Sequence, residues 1–211
     1  SNTVKKNTSL IKKNDLGAGS KIVNNNTQSV AALFRSTSLH LKYAKLLFRI
    51  CNYFKPQYIV ELGTGFGTSA ISMAMAQHQP NILTLEGNSD IAEVSKSLFN
   101  NMNLNNIIIK TGNFDLLLPE LLNEIKQIDL AFIDGNHQKE KTIEYYKMIA
   151  EKCNNNSIII LDDIRWSTGM FEAWNEIIVD KRITLSFDLF RIGIAFFRKE
   201  QKAKEHFFLK F

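Results

Sequence analysis

Two apolar runs in this 211-residue chain end in side chains that could move a proton or hold a cation. Asp134 and His137 close the segment Phe132-Ile-Asp-Gly-Asn-His-Gln138, and Asp162 and Asp163 open the turn in Leu161-Asp-Asp-Ile-Arg-Trp-Ser167. Carboxylates crowded at one rim repel and raise one another's pKa unless a cation neutralises them. Three sets of hard oxygen ligands favour Mg²⁺, Ca²⁺ or Mn²⁺. A histidine beside them, titrating near neutrality, suits the removal of a proton from an attacking hydroxyl. Plainer roles stand beside these. His137 could hydrogen-bond a ligand or cap the helix that starts at Lys139, and Asp162-Asp163 could cap the following turn without a metal. Arg165 could attract an anionic substrate and Trp166 could wall its pocket, whereas Trp174, spaced with Phe171 and Ile178 along a helix, reads as core.

A second feature shares the same ends of the chain's apolar runs. Six of the ten glycines lie just past such runs: Gly63, Gly65 and Gly67 after Tyr58-Ile-Val-Glu-Leu62, Gly87 after Glu86, Gly112 after Thr111, and Gly135 after Asp134. Glycine lets the backbone approach a ligand and adopt φ > 0. In open α/β sheets ligands bind in the crevice beyond the carboxyl ends of the strands. The loop Glu61-Leu-Gly-Thr-Gly-Phe-Gly67 fits pyrophosphate poorly, because Thr68 stands where a dinucleotide fingerprint needs its third glycine. No Gly-Lys-Ser/Thr follows, so a P-loop is ruled out.

The elements that must position these residues follow from periodicity. Helical spacing of Leu41, Ala44, Leu47, Phe48 and Cys51 predicts a helix over 40–54, closed before Pro56. Strands are predicted at 58–62, 82–86, 107–111, 128–134 and 157–162, with helices over 68–77, 89–102, 115–126, 139–152 and 168–179. Crossovers of that length predict parallel pairing, and continuous apolar strands predict helices on both faces. Segments 182–189 and 191–197 are too close for a crossover and predict an antiparallel pair, with 205–211 as an edge strand or docking tail. The fold class is therefore α/β, Rossmann-like and doubly wound, with a mainly parallel seven-stranded sheet and a C-terminal antiparallel strand pair. Residues 1–30 read as a flexible basic leader, and 31–211 as a single domain whose segment 31–55 forms a helical lid.

At this point the chain resembles the class I S-adenosylmethionine-dependent methyltransferases, over about residues 40–200. Their first motif, an acidic residue followed by Gly-x-Gly-x-Gly, is matched by Glu61, Gly63, Gly65 and Gly67. The resemblance implies that this loop wraps the amino-acid end of S-adenosylmethionine, with Glu61 near its ammonium group, and that Glu86 takes the ribose hydroxyls. It implies adenine contacts at Gly112-Asn113-Phe114, and a full cofactor set that adds Thr64, Ser69, Gly87, Asn88 and Asp134. The acidic rim resembles the catechol- and caffeoyl-CoA-type O-methyltransferase branch. By that resemblance Asp134, Asp162 and Asp163 would hold a metal, with Asp163 where the branch carries asparagine, and His137 would stand where the catechol branch places a lysine base.

These readings predict methyl transfer to a hydroxyl of a small molecule. The alternatives are an N-methyltransferase, a macromolecule methyltransferase, or a non-catalytic protein of the same fold. The net charge of +5 argues little for nucleic acid, because residues 1–21 hold five lysines against Asp15 alone and leave the body nearly neutral. No run of about 18 apolar residues predicts a membrane span. Cys51 and Cys153 match no metal spacing and read as reduced thiols of a cytoplasmic protein. The aromatic C-terminal segment is available to pack against a second copy of the chain, as in a homodimer.

Overall fold

The chain is described by a computed structural model over residues 10–12 and 27–211. Most of the predicted leader, and the reading of it as flexible, lies outside the described residues. β1 (Leu10–Lys12) pairs antiparallel with β2 (Thr27–Ser29), which runs into α1 (Val30–Thr37) and α2 (Leu41–Phe54). Five strand–helix units follow: β3 (Tyr58–Leu62) and α3 (Thr68–Ala74), β4 (Asn81–Glu86) and α4 (Ser89–Asn101), β5 (Ile107–Thr111) and α5 (Phe114–Glu124), β6 (Ile128–Ile133) and α6 (Lys139–Ala150), β7 (Cys153–Leu161) and α7 (Thr168–Ile178). The chain then forms β8 (Leu185–Asp188), β9 (Gly193–Phe196) and β10 (Glu205–Phe208).

Among the described residues the main sheet has eight strands in the order β10-β8-β9-β7-β6-β3-β4-β5. β3 to β7 pair in parallel with one another, and β9 runs antiparallel to both β7 and β8. This is the predicted architecture with one more strand. The eighth is β10, which pairs parallel with β8 at the sheet edge.

Apolar residues run through the strands because both faces are covered. In β7, Ile158 and Ile160 face α2 and α3, while Ile159 and Leu161 face α5, α6 and α7; in β6, Leu130 and Phe132 separate from Ala131 and Ile133 in the same way. Successive side chains of a strand point to opposite faces, so a strand sandwiched by helices must be apolar at every position. α2 sends Tyr43, Ala44, Leu47, Ile50 and Cys51 into the sheet's core. α1 packs elsewhere. Its Val30, Leu33 and Phe34 meet Phe66 of the glycine loop and Ile91, Val94 and Leu98 of α4 in a separate cluster. Among the described residues no helix is long and apolar enough to cross a membrane.

Candidate active site

The glycine loop leaves β3 and turns back over the sheet, held at several points. The Gly63 and Thr64 amides donate to the Leu85 carbonyl at 2.9 and 3.0 Å, and the Asp134 amide donates to the Leu62 carbonyl at 2.8 Å. Gly63 has φ +92, and a Cβ there would lie 1.9 Å from the Asp134 carbonyl oxygen, so only glycine lets β3 and β6 end side by side. Gly65, at φ +50, would point a Cβ at no atom of the described residues within 4 Å. Its amide donates to Glu86 Oε2 at 2.8 Å, and its carbonyl accepts from the Ser95 hydroxyl at 2.6 Å. Sequence reading missed Ser95. It lies in the middle of α4, fully buried, and no motif marks it.

Glu86 is nearly buried at the end of β4, and its Oε1 also accepts from the Asn88 amide at 2.9 Å. The Asn88 side chain caps α4, accepting from the Asp90 and Ile91 amides, and Asn113 caps α5 through the Asp115 amide. Gly87 and Gly112 sit at the strand ends as expected, with the Gly112 amide donating to the Glu86 carbonyl at 2.9 Å. The Phe114 ring lies against Gly135 and meets Tyr145 edge-on.

Glu61 stands in β3, two residues before Gly63 of the loop. It is fully buried, and its carboxyl accepts from the Thr84 hydroxyl, which in turn bonds the Thr64 hydroxyl at 2.7 Å. It braces the loop through Thr84 and Thr64, while its Oε1 has no hydrogen-bond partner among the described residues. Burial pushes its carboxyl up to about 7, although the Ser69 and Thr84 hydroxyls pull the other way. Ser69 is itself buried at the start of α3.

The acidic rim forms where β6 and β7 end. Asp134 Oδ1 stands 3.8 Å from His137 Nε2, and donor atoms of Asp134, His137 and Asp163 all lie within 4.8 Å of one another. Asn136, His137 and Asp163 have φ of +69°, +48° and +52°, a conformation uncommon outside glycine. The His137 ring tilts against Trp166 with centroids 5.8 Å apart, and its Nδ1 has no hydrogen-bond partner among the described residues. Burial, followed by the charges of Asp162 and Asp163, holds the Asp134 carboxyl well above the usual range. Asp163 is raised by burial and by Asp162.

Asp162 does not join its neighbours. Fully buried, it receives Arg191 in a two-pronged contact, Nε to Oδ1 at 2.9 Å and Nη2 to Oδ2 at 2.8 Å. The Asp163 amide also donates to Oδ1 at 2.9 Å. Arg191 was not among the predicted site residues. It comes from the β8–β9 turn, inside the segment predicted as strand, and only the sheet's closure brings it to Asp162. The three-carboxylate set expected for a hard cation is thus not assembled, and His137 takes the third place beside Asp134 and Asp163. Arg165 is likewise engaged: Nη1 lies 2.6 Å from buried Asp188 Oδ1, and the guanidinium stacks on Phe171 and Phe190. The Trp174 side chain is fully buried, as its helical spacing predicts.

A parallel sheet closed by an antiparallel pair, with a glycine loop and two acidic strand ends on one rim, defines a methyltransferase-type α/β fold. Residues 60–164 match a family described as a methyltransferase domain. The chain belongs to the class I S-adenosylmethionine-dependent methyltransferases. Among curated proteins it is 27% identical over 154 residues to uncharacterized protein R132 of Acanthamoeba polyphaga mimivirus, covering 68% of this chain and 69% of that one. A tRNA (guanine-N(7)-)-methyltransferase of Mycoplasma mobile is 32% identical over 94 residues, 43% of this chain and 47% of that enzyme. Among solved structures, the fold matches an O-methyltransferase from Bacillus cereus in complex with SAH at TM-score 0.66 and 21% identity, over 79% of this chain and 86% of that one. It also matches the O-methyltransferase TomG from Streptomyces achromogenes in complex with SAM, at TM-score 0.65 and 16% identity, over 76% and 82% of the two chains.

Proposed function

We propose that this methyltransferase transfers the methyl group of S-adenosylmethionine to a hydroxyl oxygen of a small molecule. The observation that carries the reading is the contact of Glu86 with the Gly65 amide at 2.8 Å. It sets a carboxylate able to accept two sugar hydroxyls against the glycine loop, on one side of β3, while Asp134 and His137 stand on the other. The open space over Gly65 fits a ligand's approach there. The bound cofactor supplies an electrophilic methyl on a sulfonium. In-line displacement draws much of its rate from alignment, so the chain's task is to hold the acceptor oxygen in place and remove its proton. His137 Nε2 accepts that proton in this reading, with the Asp134 carboxyl 3.8 Å from that nitrogen to stabilise the imidazolium formed and Trp166 as the acceptor's wall.

The site residues keep their proposed roles: Glu61 stands by the ammonium group, Gly63, Thr64, Gly65, Gly67 and Ser69 shape the loop, Glu86 to Asn88 hold the sugar, and Gly112 to Phe114 meet the base. Phe34 meets the Phe66 ring edge-on at 5.6 Å, which supports α1 as the covering part of a lid over one domain. A divalent ion at Asp134, His137 and Asp163 is a competing use of the same atoms, since a ligating Nε2 cannot also take a proton. Free Cys51 and Cys153 suit a cytoplasmic protein, and the exposed Phe207, Phe208 and Phe211 suit contact with a second copy.

Calorimetric titration with S-adenosylmethionine, S-adenosylhomocysteine and NAD⁺ tests the reading. The first two should bind, and Glu86→Ala should weaken both by about tenfold or more. Binding of NAD⁺ alone would refute it. The 32% identity to a tRNA methyltransferase supports a second reading, a base in RNA as acceptor. Methyl-group assays on catechols and on unmodified transfer RNA separate the two.

A further inference from the structure

We infer that Arg191 is the built-in counter-cation of the acidic rim, so that methyl transfer at this site requires no divalent metal. The inference rests on the rim being the acceptor site, but the geometry behind it is independent of the acceptor. Asp134, Asp162 and Asp163 end adjacent strands, and three carboxylates so close need positive charge to coexist. Arg191 supplies it from the opposite side. Its planar fork takes both oxygens of Asp162, a residue with no exposure, and its Nε also reaches Asp163 Oδ1 at 3.2 Å. A bidentate guanidinium contact fixes orientation as well as charge, which is what a metal would do for these groups.

The backbone presents the arginine rigidly. The Arg191 amide donates to the Leu189 carbonyl at 2.9 Å, and its carbonyl accepts from the Ile164 amide at 3.0 Å. The second contact ties the β8–β9 turn to the loop that carries Asp162 and Asp163. The preceding residue, Phe190, adopts φ +73, and the guanidinium lies over the Tyr43 ring of α2. Arg191 is thus anchored on both sides and does not swing away as a surface side chain would.

The consequence concerns coordination. A hard ion fills its shell of six or more oxygens partly with water and is held by the negative charge of its carboxylate ligands. With Asp162 committed, the rim offers it two carboxylates, one already shared with the guanidinium, and an imidazole nitrogen. An entering dication would meet the positive Arg191 directly behind its ligands. Arg191 is accordingly a positioning residue for the rim, acting through Asp162 and Asp163 rather than on the acceptor.

The test is titration of the protein with MnCl₂ and MgCl₂, free of cofactor, followed by calorimetry. The wild-type protein should show no saturable binding up to about 1 mM, the range of the weakest Ca²⁺-type sites. Arg191→Met, checked for its fold by circular dichroism, frees both carboxylates and should bind Mn²⁺ at least about tenfold more tightly than wild type. Saturable wild-type binding below about 1 mM, or a folded Arg191→Met with no gain, overturns the inference. Should Arg191→Met not fold, the wild-type titration decides alone. A protein that fails to bind S-adenosylmethionine but behaves as expected with Mn²⁺ refutes the proposed function and leaves the role of Arg191 standing.

Discussion

Gly63 and Gly65 are two residues apart in one loop, yet substituting each with alanine should give different failures. Both have positive φ, +92 and +50, and a non-glycine residue in that region costs roughly 1–2 kcal/mol. Gly65→Ala adds nothing further, because its Cβ meets no atom of the described residues within 4 Å. Gly63→Ala drives a Cβ to 1.9 Å from the Asp134 carbonyl oxygen and 2.7 Å from its carbon, backbone atoms fixed at the end of a central strand. Overpacking against atoms that cannot turn aside costs about 1–3 kcal/mol or more, bringing Gly63→Ala to about 2–5 kcal/mol or more. Total stability is about 5–15 kcal/mol, so that is a large share. At about 2–4 °C per kcal/mol for a chain of this size, Gly65→Ala should melt a few degrees below wild type and Gly63→Ala about 10 °C or more below it. Ligand affinity should show the reverse emphasis. The methyl of Gly65→Ala fills the space a ligand needs, so the folded variant should lose S-adenosylmethionine binding by about tenfold or more. Differential scanning calorimetry and titration calorimetry on the pair give both readings. Equal melting losses, or wild-type affinity in Gly65→Ala, would show that the loop geometry has been misread.

Glu61 makes stability depend on pH. Its folded-state carboxyl is raised by burial to about 7 from an ordinary 4.5, so its contribution is fully present below about 4.5 and is lost as pH rises through 7. A shift of that size corresponds to about 3 kcal/mol, and Glu61→Gln should flatten that part of the urea-denaturation profile between pH 5 and 7.5. An unchanged slope in the variant would place the titration elsewhere. The thiols of Cys51 and Cys153 are both pushed up to about 12 by burial. At pH 8 they should resist alkylation in the folded protein and react within minutes once it is unfolded, as followed by mass spectrometry. Replacing His137 with alanine should lower turnover about 100-fold or more on the true acceptor while leaving S-adenosylmethionine affinity within about twofold. A loss confined to cofactor affinity would remove it as the base.

Much of the fold was legible because local patterns and tertiary demands agree. β3 and β5 have the predicted bounds, and the remaining core strands and helices differ from prediction by one to four residues at their ends. Runs of isoleucine, leucine and valine between helical segments admit few arrangements other than a parallel sheet covered on both faces. β10 was left open between strand and tail, since Glu205-His-Phe-Phe208 alternates weakly and its strand character depends on the edge of β8 being there to pair with.

The sequence by itself determined which strand ends carry glycine and acid, because those residue types are tied to backbone conformation and charge wherever the chain goes. It thereby set the end of the sheet at which Gly65, Glu86 and Asp134 gather. Only tertiary structure decided how those groups are shared. Glu61 braces the loop because the Thr84 hydroxyl, on the adjacent strand, donates to it in the core. Asp162 and Asp163, neighbours in sequence, parted in role because the closing turn of β8 and β9 delivers Arg191 to one carboxylate's two oxygens and the flank of the other. Ion pairing across 29 residues has no periodicity or motif to announce it; it exists once the antiparallel pair has folded back against β7.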